Sequence, residues 1–199
     1  MLLKFHDARA RPTLRAPRIV VVSARRPITG GRTILPVLAH RTGTDGHPWL
    51  EVRLPGRPNG HAGWIRQRNT AHAATRWHIV VRTSERRVLV YRSGRLVRTF
   101  RAIVGKPSTP TPDGEFFVEE AVALRAGAVG APYALALSAR SNVLQEFAGG
   151  PGQIALHGLV NVGGVLGTAV SHGCVRLDND AMRWLVLHFG TGVPVTIRS

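Results

Sequence analysis

The stretch Ser171-His172-Gly173-Cys174-Val175-Arg176-Leu177 contains the only cysteine in the chain, and Cys174 lies in a run, residues 147–175, with no Asp, Glu, Lys or Arg and eight glycines. A free thiol has a pKa of about 8.5, so cysteine becomes a nucleophile only where a base or cation raises its thiolate fraction. Two histidines are candidates: His172 is two residues away, and His157, 17 residues upstream, ends an apolar strand pattern at residues 153–156. Gly173 allows a sharp turn and a close approach of backbone to substrate. Consecutive N–H groups in such a turn can form an oxyanion hole, with the N–H of Cys174 as one donor. One Gly-rich region, residues 148–177, can therefore supply nucleophile, base and oxyanion donors. A lone cysteine is also commonly a small buried hydrophobe, so spacing alone leaves both readings open.

Upstream of this stretch the pattern is β. Short β-branched runs at residues 78–82 and 87–92 flank a turn at 83–86, and Ser93-Gly94 is a hairpin signal before a run at 95–104. Further strands are expected at 116–122, 133–138 and 153–156, with 193–197 closing the fold. One helix is expected over 179–189: Asp178 can cap it, Met182, Leu185, Val186 and Phe189 share a face, and Gly190 and Gly192 stop it. Residues 77–199 thus read as a mostly-β, sandwich-like domain with one helix.

The N-terminal third differs in charge. The whole chain of 199 residues carries 27 Lys plus Arg against 11 Asp plus Glu, a net +16, and 25 of the basic residues are Arg. Residues 1–76 hold 14 basic and 3 acidic residues, net +11, whereas 77–199 hold 13 and 8, net +5. Such a balance favours anionic surroundings. Ordinary apolar content, 44%, excludes a wholly disordered chain, and one cysteine excludes an intramolecular disulfide. Residues 1–27 read as a basic tail or linker punctuated by Pro12, Pro17 and Pro27, with one strand at 18–22. Residues 28–72 read as a small β module, with strands at 33–39, 49–54 and 62–66 between turn formers. No apolar core of an export signal appears, so the chain as given is expected to start after its signal or to lack one.

Two resemblances carry this further. The segment Ser171-His172-Gly173-Cys174-Val175-Arg176 resembles the signature of the L,D-transpeptidase (YkuD) family, as do Ile154-Ala155-Leu156-His157-Gly158 upstream and Gly105 followed by Thr109-Pro110-Thr111-Pro112-Asp113-Gly114-Glu115-Phe116. The three motifs stand in the family's order over about 60% of the chain. The resemblance implies Cys174 as nucleophile and His157 as general base, with His172, Gly173 and Cys174 shaping the oxyanion hole. Ser171 is expected to hold the turn. Arg176 is expected to pair with Asp178 or Asp180 rather than to bind a substrate carboxylate. Gly158 stands where some members carry Ser, so the partner that orients His157 is left open. The Thr-Pro-Thr-Pro segment is read as a stiff connector near the cleft. Weaker in its motif, the pair Trp49-Leu50-Glu51-Val52 and Gly63-Trp64-Ile65 resembles a bacterial SH3-like module, and two core tryptophans of any small β module fit it equally.

The family resemblance implies transpeptidation on peptidoglycan stem peptides through an acyl-thioester, by a monomer outside the cytoplasm, with no cofactor, no metal and no nucleic acid. It also implies acylation by carbapenem-type β-lactams. Three alternatives remain in view: an L,D-carboxypeptidase, a zinc site on His157, His172 and Cys174, and a non-catalytic protein that binds an anionic wall polymer through residues 1–76.

Overall fold

The buried side chains of the strands collect into two cores joined at one strand. The computed structural model describes residues 1–146 and 149–199, so Phe147 and Ala148 of the uncharged run lie outside the described residues. The first sheet is antiparallel and runs β2(Arg18–Val22), β1(His6–Arg9), β5(Ala62–Arg66), β4(Pro48–Arg53), β3(Val37–Thr42). Its core comprises Leu2, Ala8, Val22, Leu35, Leu50, Val52, Leu54 and Ile65, together with Phe117 from the second sheet. Trp49 and Trp64 lie on β4 and β5, only 1% and 9% exposed, as core tryptophans would.

The second sheet has eight strands, in the order β14(Val175–Arg176), β12(Gln153–His157), β11(Tyr133–Arg140), β10(Gly114–Ala123), β15(Pro194–Arg198), β6(Trp77–Arg82), β7(Arg87–Arg92), β8(Arg95–Arg101). A parallel pair, β9(Val104–Gly105) and β13(Ala169–Ser171), stands beside it. The β7–β8 turn has Ser93 at φ 50° and Gly94 at φ 76°, the two positive angles that a tight type I′ hairpin needs. The helix α1(Asn179–His188) starts where Asp178 accepts the Ala181 N–H at 2.7 Å, and it buries Ala181, Met182 and Leu185. The chain is mostly β with one helix among the described residues.

Strand β10 organises the whole. From Gly114 to Phe117 it pairs with β15, and from Val118 to Ala123 with β11, with a register shift between Val118 and Glu120. Phe116 and Val118 enter the core shared by β6, β7, β11, β12 and α1. Phe117, on the opposite face and 0% exposed, completes the N-terminal core. The bulge sends both following carboxylates toward the N-terminal unit. Glu119 sits between Arg26, at 3.3 Å, and Arg140, at 3.1 Å. Burial raises the Glu119 carboxyl above its usual range, and the charges of Arg140 and Arg26 pull it back. Glu120 accepts from the Thr29 N–H and hydroxyl, each at 2.8 Å.

These contacts correct the expected tail at residues 1–27. Leu2, Ala8, Ala16 and Val22 are buried there, β1 pairs with β2 and bridges to β5, and Arg26 is 7% exposed. The segment lacks a long apolar alternation, so it orders only against partners distant in sequence. Replacing Phe117 by Ala removes a fully buried ring from this core and should destabilise the protein by about 3–5 kcal/mol. Urea denaturation measures this, and a loss under about 1 kcal/mol would contradict the shared core.

Candidate active site

The parallel pairing of β12 with β14 builds the site. Leu156 lies beside Val175 and His157 beside Arg176. Along β12, Ile154 and Leu156 point into the core while Gln153, Ala155 and His157 stay on the open face. Val175 and Leu177 are buried in the same way, which leaves Cys174 and Arg176 on that open face. Strand alternation with period two therefore puts thiol, imidazole and guanidinium on one surface. All three line one cavity of about 300 Å³ with mostly apolar walls, and His172 lines it from an exposed position.

His157 is oriented by its own neighbour. Its Nδ1 is 2.8 Å from the carbonyl oxygen of Gly158. A carbonyl can only accept, so Nδ1 carries the proton and Nε2 keeps its lone pair. Gly158 is required here for space, since a Cβ would collide with the Ala131 carbonyl and lie 2.7 Å from Asn179 Oδ1. That explains why Ser does not follow the histidine in this chain. Gly130 packs against the ring from the other side, where a Cβ would come within 2.7 Å of Nδ1. Burial pushes the imidazole below its usual pKa, with the Arg176 charge adding to the effect and the Gly158 bond opposing it.

The Cys174 turn is pinned from two sides. Ser171 is fully buried; its hydroxyl donates to the Cys174 carbonyl at 2.6 Å and accepts the Gly173 N–H at 3.1 Å. Gly173 has φ 118°, a conformation that favours glycine. The Thr-Pro-Thr-Pro segment does more than stiffen a connection. The Thr109 hydroxyl donates to the Ser171 carbonyl at 3.2 Å, and the Thr111 hydroxyl donates to the Gly173 carbonyl at 2.9 Å while accepting the Gly105 N–H at 2.9 Å. The prolines hold the segment extended, and the threonines use that to fix the carbonyls on either side of His172. Sequence reading took the prolines as the signal and passed over the hydroxyls.

The Cys174 thiol faces the Gln153 carbonyl, 3.9 Å away, and burial raises its pKa, partly offset by a backbone bond from Ala155 and the Arg176 charge. Arg176 does not pair with Asp178 or Asp180. Its Nη1 donates to the Gly163 carbonyl, Asp178 caps the helix, and Asp180 pairs with Arg183 at 2.7 Å. The helix start consumes Asp178, in the capping role its position before residue 179 already suggests, so it is not available to Arg176. Among the described residues, no three His, Cys, Asp or Glu side chains are grouped to hold a metal ion. The arrangement instead offers a thiol and an imidazole of fixed tautomer at the wall of an apolar cleft, the components of a nucleophile with a general base.

Residues 76–197 match the model of the L,D-transpeptidase catalytic domain, YkuD. The chain belongs to that family. It is 33% identical over 122 residues to the L,D-transpeptidase YkuD of Bacillus licheniformis, covering 60% of this chain and 66% of that protein. Over 120 residues it is 30% identical to L,D-transpeptidase 1 of Mycobacterium tuberculosis, covering 54% and 45% of the two chains. The chain thus spans just under two thirds of the first relative and under half of the second. L,D-transpeptidase 3 of Mycobacterium tuberculosis, solved with a faropenem-derived adduct, shares the fold with a TM-score of 0.51 at 16% identity, over 84% of this chain and 94% of that one.

Two outcomes follow from the geometry. With the thiol pKa raised and the imidazole pKa lowered, both groups are neutral near pH 7. Alkylation of Cys174 by iodoacetamide should therefore keep rising with pH through and beyond about 8.5, the ordinary thiol value. A rate plateau extending down to pH 5 would mean a resting thiolate–imidazolium pair and contradict this. Thr111→Val removes the hydroxyl that joins Gly105 to Gly173 and leaves two polar backbone groups without that partner, which should lower stability by about 1–3 kcal/mol. A melt unchanged from the parent would show that the pin carries no load.

Proposed function

We propose that this protein is a cysteine-dependent L,D-transpeptidase acting on peptidoglycan stem peptides outside the cytoplasm. The observation that carries the reading is the shared cleft of Cys174 and His157, with the Nδ1 proton of His157 committed to Gly158. Its Nε2 takes the thiol proton as sulfur attacks the carbonyl between an L-centre and a D-amino acid. The oxyanion forms near the nucleophile turn, where the Gly173 N–H is already bonded to Ser171. The Cys174 N–H is therefore the donor assigned to it. Collapse expels the D-residue as an amine, protonated by His157, and leaves an acyl-thioester. An amine of a second stem resolves that thioester in transpeptidation, and water resolves it in the carboxypeptidase variant. Arg176, on the cleft wall, provides positive charge for a substrate carboxylate.

Part of the basic charge of residues 1–76 serves the fold rather than a partner. Arg26 is buried against Glu119, Arg9 and Arg18 meet Asp7, and Arg66 meets Asp45. The remaining exposed arginines, apart from Arg57, which bonds to backbone carbonyls of the catalytic domain, are assigned to attraction toward an anionic wall polymer, which salt screens over about 8 Å at physiological strength.

Intact mass with a soluble stem-peptide donor tests the central reading. The wild type should gain one acyl mass at Cys174, Cys174→Ala none, and His157→Ala should gain it about 10²–10⁴-fold more slowly. A carbapenem should label the wild type alone. Adduct formation by Cys174→Ala would overturn the assignment of the nucleophile.

A further inference from the structure

The turn of residues 55–61, between β4 and β5, leaves the N-terminal sheet and lies against the catalytic domain. Three of its residues, Gly56, Arg57 and Asn59, reach the same place. The Gly56 N–H donates to the Ser138 carbonyl at 3.1 Å. Asn59 forms a two-way pair with Arg140, its Nδ2 donating to the Arg140 carbonyl at 2.7 Å and its Oδ1 accepting the Arg140 N–H at 2.8 Å. Between these stands Arg57. Its Nη2 donates to the carbonyls of Ser141 at 2.8 Å and Leu144 at 3.1 Å, and its Nη1 to that of Pro151 at 3.0 Å. One planar guanidinium thus ties three carbonyls that are up to ten residues apart in sequence.

Two of those carbonyls, of Ser141 and Leu144, belong to residues of the cleft wall, and the third, of Pro151, directly precedes a wall residue, Gly152. Ser141, Leu144, Gly152 and Gln153 line the cavity together with Cys174, and the Gln153 carbonyl faces the thiol. The wall is tightly fitted at Gly152, where a Cβ would collide with the Leu144 carbonyl and lie 3.2 Å from Arg57 Nη2. The Ser141 hydroxyl accepts the N–H groups of Val143 and Leu144, and Arg57 adds the bonds that tie Ser141 and Leu144 to Pro151 across the wall. Arg57 contacts no reacting group and lies 117 positions before Cys174. Its bonds all end on backbone, which suits a rigid fork of donors and not a point charge.

We propose that Arg57 is a positioning residue of the catalytic cleft: it holds the wall residues Ser141, Leu144 and Gly152 in place, so that the N-terminal unit completes the stem-peptide site. This rests on the reading of Cys174 as the nucleophile toward a stem peptide. A misplaced wall weakens substrate alignment and leaves the intrinsic reactivity of the thiol alone.

The test uses the full chain with Arg57→Ala, Arg57→Lys and Asn59→Ala. Two rates are followed by intact mass: acylation at Cys174 against the concentration of a soluble stem tetrapeptide, and alkylation by iodoacetamide, which needs no wall. The half-saturating donor concentration should rise about 10-fold or more in Arg57→Ala, remain raised in Arg57→Lys, and rise in Asn59→Ala, with the alkylation rate unchanged. A folded Arg57→Ala with the parent's donor dependence overturns the proposal, and so does a variant that melts lower but binds donor as before. Should Arg57→Ala fail to fold, an unaltered donor dependence in Asn59→Ala overturns it equally. Failure of the underlying reading looks different: the wild type would alkylate normally and form no acyl adduct at any donor concentration.

Discussion

The two faces of β10 are buried against different cores, and this constraint decides most of what surrounds it. A strand with Phe116 and Val118 on one side and Phe117 on the other cannot be solvated on either face without loss of apolar burial. The bulge between Val118 and Glu120 then adds two carboxylates to the N-terminal side. Glu119, 5% exposed, is tolerable only with Arg26 and Arg140 in place, because removal of one partner of a buried pair leaves an uncompensated charge. The N-terminal unit is thereby committed to one position on the catalytic sheet. Arg140, a partner of Glu119, is also the residue from which the cleft wall departs, so the ion cluster and the Arg57 bonds act on one segment.

The site follows from ordinary sheet geometry applied next to this joint. Period-two alternation on β12 and β14 selects which side chains face the cleft, and the parallel register sets them side by side. What remains is to hold a strained turn still. Ser171, Thr109 and Thr111 do so through hydroxyls, and each bond ends on the backbone of the Cys174 turn. Burial raises the pKa of the thiol and lowers that of the imidazole, so it favours the neutral form of each.

Much of this was legible before the structure, for reasons that are local. Strands at residues 62–66 and 87–92 lie where β-branched alternation and turn formers place them, and the Ser93-Gly94 turn takes the expected positive angles. The bonds of His157 to Gly158 and of Ser171 to Cys174 and Gly173 lie within their own motifs and are local in the same way. The unread parts are those made by distant residues. Strand β1, His-Asp-Ala-Arg, carries no pattern of its own and exists through β2 and β5. Strands β13 and β14 are three and two residues long, too short to show a period. Arg57 looks like one more surface arginine until its three carbonyl partners, 84 to 94 residues away, are seen.

If β10 joins the two units into one body, they should open together. Hydrogen exchange followed by mass spectrometry at increasing urea separates peptides of β4 and β5 from those of β11 and β12. Coincident loss of protection in both sets, at one urea concentration, is the outcome that a shared core at Phe117 and Glu119 requires. Loss of protection in β4 and β5 well before β11 and β12 would show two independent domains and contradict the account.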